Sequence, residues 1–163
     1  MARRVFFSFH FERDAWRSGQ VRNCWLTKPD RESAGYWDAA KWEEVKTKGD
    51  QAIKNWINNS LSGTSVTVVL IGAETSERVW VKYEISESYK RGNGILGIYI
   101  HNIKNSSSLA DTKGDNPLSD LYITKDDRKI YLSELYFTYD WVNDNGYENI
   151  GDWVKKAADN AGR

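Results

Sequence analysis

Apolar positions along the chain alternate between short continuous runs and stripes at helical spacing. Residues 5–9 (VFFSF) form an apolar and aromatic run bounded by charge, which predicts a buried strand. Polar and aromatic residues then mix from His10 to about Asn23, where the pattern predicts a weakly amphipathic helix. Residues 27–36 contain Pro29, Asp30, Ser33 and Gly35 and read as a loop. Asp38 stands before an Ala-Ala-Lys-Trp-Glu-Glu-Val segment and suits the cap of a helical turn. Ile53, Trp56, Ile57 and Leu61 recur at helical spacing with polar residues between them, and Gly63 suits the stop. Both Trp56 and Trp153 are expected in the core.

Residues 65–71 (SVTVVLI) give the strongest strand signal, β-branched and nearly continuous, as expected where both faces are covered. A helix is expected over about 77–91, capped by Thr75 or Ser76 and ended by Gly92 and Gly94, with residues 95–100 (ILGIYI) as another buried strand. Residues 102–120 are rich in Asn, Ser, Asp, Lys and Gly and predict the longest loop and the most mobile part of the chain. A short strand or hairpin arm is expected at 129–132 and a last strand within 135–142. Ile150, Trp153, Val154, Ala157, Ala158 and Ala161 mark a closing amphipathic helix. This order predicts an α/β fold, a mostly parallel central sheet flanked by helices, in a single domain over 1–163. Ligands of such sheets sit beyond the carboxyl ends of strands. That rule singles out Ser8, Phe9 and His10, then residues 72–75, then His101, although His101 is expected on a solvated loop.

Charge narrows the functions. Lys and Arg number 23, as do Asp and Glu, so the formal charge is zero and the basic footprint of a nucleic-acid binder is missing. Cys24 is the only cysteine, which fits a reducing cytosol and a packed role. No apolar run approaches the roughly 18 residues of a membrane span, and residues 1–7 read as a strand rather than a signal peptide. A cytoplasmic protein without membrane contact is expected. Eight Trp and nine Tyr are many for 163 residues and suit either a core or a ligand cleft. Trp16, Trp25, Trp37 and Trp42 leave that choice open.

Several chemistries lack their parts. There is no Walker loop, no GxGxxG and no paired CxxC, and two His with one Cys make a zinc site a poor fit. A triad drawn from Ser8, His10 and Asp38 has no nucleophile elbow. Trp80 and Glu84 lie four residues apart, hence on one helical face beside the stripe of Val81, Ile85 and Ser88. A carboxylate there suits a cleft wall. It equally suits a solvated boundary or an ion pair with Lys82, Lys90 or Arg91.

Further stretches, taken together, carry a resemblance. Residues 4–10 (RVFFSFH), 21–23 (VRN), the Asp38-Ala…Trp42-Glu segment, residues 64–72 (TSVTVVLIG) and 139–147 (YDWVNDNGY) resemble the TIR-like ThsB proteins of bacterial Thoeris anti-phage defence. Residues 80–85 (WVKYEI) are similar to the Trp-x-x-x-Glu signature of NAD+-consuming TIR domains. The likeness is strongest over 4–100 and returns near 139–154, while 102–130 matches nothing in the family. It implies a flavodoxin-like TIR fold and cleavage of the nicotinamide–ribose bond of NAD+, giving an ADP-ribose-derived, typically cyclic messenger. NAD+ is then substrate, and neither a cofactor nor a metal is expected. Glu84 is implied as the catalytic glutamate. Phe7, Ser8, Phe9, His10 and Asp38 are pocket candidates by position at strand ends, and Trp80 is a cleft-wall residue. Ser8 and Asp38 equally suit capping roles, and His10 a polar rim. The expected partners are a Thoeris effector reached through the product, a phage-protein trigger and further copies of the chain. A non-catalytic TIR-like module, binding nucleotide or protein and signalling by assembly, is the alternative.

Overall fold

A computed structural model describes residues 3–34 and 39–163. Five parallel strands form the central sheet: β1 (Arg3–Ser8), β2 (Arg31–Ala34), β3 (Val66–Ile71), β4 (Gly94–Tyr99) and β7 (Thr138–Asp140), in the order β2-β1-β3-β4-β7. The order reverses direction between β1 and β3, the crevice where flavodoxin-like sheets bind ligands. β3 lies at the centre and buries all six of its residues, as its continuous apolar run predicts.

Side-chain alternation along the strands divides the core. Val5 and Phe7 of β1 point to one face with Val68, Leu70, Leu96 and Ile98. There they meet α1 (Phe11–Leu26) through Val21 and Trp25, and α6 (Gly146–Asn160) through Ile150, Trp153 and Val154. Phe6 points to the other face, against Trp42 and Val45 of α2 (Ala39–Thr47) and Ile53, Ile57 and Leu61 of α3 (Asp50–Leu61). Ser8 shares the side of Phe6 by the same alternation. Val69, Ile71 and Ile95 pack on Val81 and Ile85 of α4 (Val79–Lys90). Each such large side chain stabilises the fold by about 1.5–3 kcal/mol when fully buried. At Gly94 a β-carbon would strike the Ala157 carbonyl oxygen, so α6 rides directly on the start of β4.

The expected helices are present with shifted ends. α4 begins at Val79, because Thr75, Ser76 and Glu77 are taken by a separate single turn of 3-10 helix. The stretch expected as a loop at 27–36 holds β2 instead. Its sequence, RESA, carries no apolar run, but pairing with β1 from Arg3↔Arg31 to Phe6↔Ala34 supplies the strand. The hairpin arm at 129–132 belongs to β5 (Tyr122–Lys125) and β6 (Arg128–Tyr131), an antiparallel pair turned by Asp126 and Asp127, both at positive φ (53° and 61°). A short α5 (Leu132–Leu135) leads from it to β7.

Residues 102–116 form no helix or strand, yet α1 ties them down. Arg17 donates to the carbonyls of Ile103 (2.6 Å) and Leu109 (2.9 Å), and Trp16 to that of Lys104 (3.2 Å). Arg13 donates to both carboxylate oxygens of Asp111. Among the described residues, no helix is long and apolar enough to cross a membrane.

Candidate active site

β1 ends at Ser8, the crossover begins with Phe9 and His10, and α4 passes over the same corner. This brings Ser8 and Glu84, 76 residues apart, into contact: the Ser8 hydroxyl donates to Glu84 Oε1 at 2.7 Å. Glu84 is 4% exposed. The helix is fixed at this height by a polar rung beneath it. Ser88 Oγ donates to the Glu84 carbonyl (2.7 Å) and lies 2.6 Å from Thr67 Oγ1 on β3. On the flank, Asn58 of α3 donates to the Tyr83 hydroxyl (2.9 Å), and Trp80 meets Tyr83 edge-on at 5.8 Å.

Burial raises Glu84 from the ordinary 4.5 to about 8, with the Ser8 hydrogen bond pulling the other way. In the ligand-free protein at neutral pH the carboxyl therefore holds its proton. Its cavity is about 30 Å³, lined by Phe9 and His10 after β1, Phe11 and Glu12 at the start of α1, Trp42 and Ile57 from α2 and α3, Arg78 just before α4, and Trp80 and Val81 beside Glu84 on α4. Ligand pockets usually run to roughly 300–1,000 Å³, so the site is nearly closed as it stands. His10 is buried, and its pKa is lowered first by that burial and then by the charge of Arg78, both favouring the neutral imidazole. Arg78 Nη2 lies 3.6 Å from Glu12 Oε1 at the rim.

Of the residues singled out by sequence, Ser8, Phe9, His10, Trp80 and Glu84 come together here. Phe7 lies on the opposite face of the sheet, 1% exposed, within the α1/α6 core. Asp38 lies outside the described residues, as does Trp37. Trp42 joins the cavity wall, Trp25 the core, and Trp16 is 52% exposed. Trp56 is only partly buried, at the edge of its cluster. His101 corrects the expectation of a solvated loop: it is 7% exposed, because the chain folds back and Asp111 N–H bonds the His101 carbonyl at 2.8 Å. Sequence reasoning passed over Arg78 and Glu12, whose pairing across 66 residues leaves no local mark.

A family model, described as the Thoeris protein ThsB, TIR-like domain, matches residues 6–105. This chain belongs to the ThsB TIR-like family. A protein of Bacillus cereus (strain MSX-D12), named "Putative cyclic ADP-D-ribose synthase ThsB1", is 37% identical over 191 residues, which cover 94% of this chain and 100% of that protein. The ThsB match spans both Ser8 and Glu84 and stops early in the 102–116 loop.

On the far side of β1, a second polar group lies close to this ThsB-type corner. Asp14 of α1 is 1% exposed, and a β-carbon at Gly72 would collide with its carboxylate. The nearby Thr75 hydroxyl accepts from the Gly72 N–H (2.8 Å) and faces the Leu70 carbonyl, leaving Asp14 without a well-formed hydrogen bond. Burial raises Asp14 from 3.8 to about 6, opposed first by Arg13. Among the described residues, no group of three His, Cys, Asp or Glu side chains is placed to hold a metal.

Proposed function

We propose that this chain is a TIR-type NAD+ glycohydrolase and cyclase that makes an ADP-ribose-derived messenger, and that Glu84 is the carboxylate serving the reacting ribose. The observation that carries the reading is the buried Ser8–Glu84 pair, in a chain 37% identical to a protein named as a cyclic ADP-D-ribose synthase. Nicotinamide is already a cationic leaving group, so bond breaking needs little acid catalysis. Its departure leaves positive charge on the ribose, which a carboxylate stabilises strongly when water is excluded. The glycosidic electron pair leaves with nicotinamide. An adenine or ribose atom of the same molecule attacking the cation closes a ring; water gives free ADP-ribose.

Burial serves this chemistry through charge. Glu84 is neutral while the site is empty, and a cationic nicotinamide riboside entering the cavity favours the ionised form. The proton leaves to solvent as substrate binds. Ser8 holds Oε1 and so sets the carboxylate plane, while Trp80 and Phe9 supply aromatic walls. The messenger would act on a Thoeris effector after a phage-derived trigger.

The test is NAD+ turnover in lysates of phage-infected cells, with products identified by mass spectrometry, comparing wild type with Glu84→Gln. An ADP-ribose derivative is expected with wild type and at least about 100-fold less with the variant. No derivative from either folded protein, under a phage that triggers defence, would favour a nucleotide- or protein-binding module.

A further inference from the structure

The site's one permanent cation is already engaged, and its partner is informative. Among the described residues lining the Glu84 cavity, Arg78 is the only Arg or Lys, and its counter-ion is the Glu12 carboxylate at 3.6 Å. The pair joins the first turn of α1 to the start of α4 across the rim. Both side chains are partly exposed, 38% and 50%, and such pairs are weak. A stronger anion displaces such a partner readily. Arg78 is also the N-cap residue of α4, a helix of 12 residues with no acidic side chain in its first turn. The positive end of that helix thus faces the same rim without internal compensation. Arg13, in the first turn of α1, is taken up by Asp111 and Glu74.

We infer that Arg78 holds the diphosphate of the substrate, and that Glu12 occupies the guanidinium in its place when the site is empty. This rests on the NAD+ reading of the Glu84 site. The spacing fits: six residues of helix separate Arg78 from Glu84 by about 9 Å along the axis, and the arginine stem covers further distance. A ribose over Glu84 has its 5′-phosphate one sugar ring away, toward the rim. Guanidinium and phosphate form bidentate charge-assisted hydrogen bonds, which outmatch a single 3.6 Å contact to a half-exposed carboxylate. Arg78 becomes a specificity-determining residue: it selects for the diphosphate carried by NAD+, whereas nicotinamide riboside shares the scissile bond and lacks every phosphate.

The experiment measures kcat and KM for NAD+ and for nicotinamide riboside with wild type, Arg78→Ala, Arg78→Lys and Glu12→Gln, alongside calorimetric titration of each protein with ADP-ribose and with adenosine. Arg78→Ala should lower the preference for NAD+ over the riboside by about 10- to 100-fold, chiefly through KM, and weaken ADP-ribose binding to a similar degree while leaving adenosine unchanged. Arg78→Lys should restore part of both. Glu12→Gln should lower KM for NAD+ by about two- to fivefold and leave the riboside unchanged. A purely structural role for Arg78 would move both substrates together, and that result overturns the inference, as does ADP-ribose affinity that is absent or indifferent to Arg78. Should NAD+ prove inert while ADP-ribose binding still depends on Arg78, the glycohydrolase reading falls and the diphosphate contact stands.

Discussion

At the carboxyl end of β1, a cavity of about 30 Å³ meets a guanidinium and a buried carboxyl that accepts a hydrogen bond from Ser8. At the amino end of β4, a cavity of about 450 Å³ is walled by Tyr89, Tyr136, Phe137, Tyr139 and Trp153, with no carboxyl in its lining. Size alone would place the ligand at the second. The proposed function places it at the first. The larger space comes from loose joining of the ends of α4 and α6 around a three-residue edge strand, and its floor is the Tyr139–Trp153 stack at 4.2 Å. Its one buried amide, Asn93, already donates to Thr64 and accepts from Arg163. The smaller space keeps an ionisable group out of water at a free-energy cost, which is where function concentrates.

That cost offers the sharpest test of the contrast. The Glu84 proton is held to about 8 in the folded chain and to the ordinary 4.5 when unfolded. The native state thus binds more protons between those values, and stability contributed by neutral Glu84 is complete below about 4.5 and is lost as pH rises toward 8. Relative to Glu84→Gln, wild type should lose about 1.4 kcal/mol for each pH unit in that window, so that, from equal stability below about pH 4.5, the variant becomes the more stable protein at pH 7 by roughly 3 kcal/mol. Urea midpoints at pH 5, 6, 7 and 8 measure this directly. Asp14 titrates lower, between 3.8 and about 6, and cancels in the comparison because both proteins carry it. Parallel curves for the two proteins would mean that Glu84 is charged in the empty site, and the contrast between the cavities would lose its basis.

How far the sequence discloses this arrangement depends on where the governing contacts lie. β3 is legible because its residues are buried on both faces and therefore apolar throughout. β2 is not, because an edge strand needs only one neighbour, and Arg31, Glu32 and Ser33 stay partly or largely exposed there. Pro29 and Gly35 at its margins mimic a loop. Glu84 is legible through the Trp-x-x-x-Glu pattern and the strand-end rule that points to Ser8, yet periodicity alone left it at the boundary of a helix. Its burial follows from α3 and the β1 corner closing over it, which no local window records. The same holds for Arg17 and Asp14: their settings are made by the 102–116 loop and by Gly72, far along the chain. Composition in that loop reports polarity but not that α1 supplies the donors for its carbonyls.

Ser8 acts on the small cavity through Glu84. Its hydroxyl favours the ionised carboxyl, opposing burial. Ser8→Ala should raise the Glu84 pKa further and shift the rising limb of kcat/KM against pH upward by up to about one unit. At pH 7 that amounts to about a tenfold fall in turnover of NAD+, recovered at higher pH. A pH-independent loss would instead assign Ser8 to substrate binding or to placing β1, and an unchanged profile would make the 2.7 Å hydrogen bond incidental.

The smallest expected effect falls on the larger of the two cavities. Phe137 is 52% exposed, lines that space and lies under the Lys156 ammonium at 4.1 Å. Phe137→Ala widens the cavity while removing little buried area, so stability should change by less than about 1 kcal/mol and NAD+ turnover by less than about twofold. The variant is informative because it enlarges the better-shaped pocket and leaves the charged one untouched. A tenfold fall in turnover would require coupling through α4, which runs from Trp80 and Glu84 at one cavity to Tyr89 and Lys90 at the other. Among the described residues, that helix is the only element lining both. A substitution at its far end that slowed the chemistry would show that the Ser88–Thr67 rung fails to isolate Glu84 from the aromatic end, and the two cavities would then have to be treated as one device.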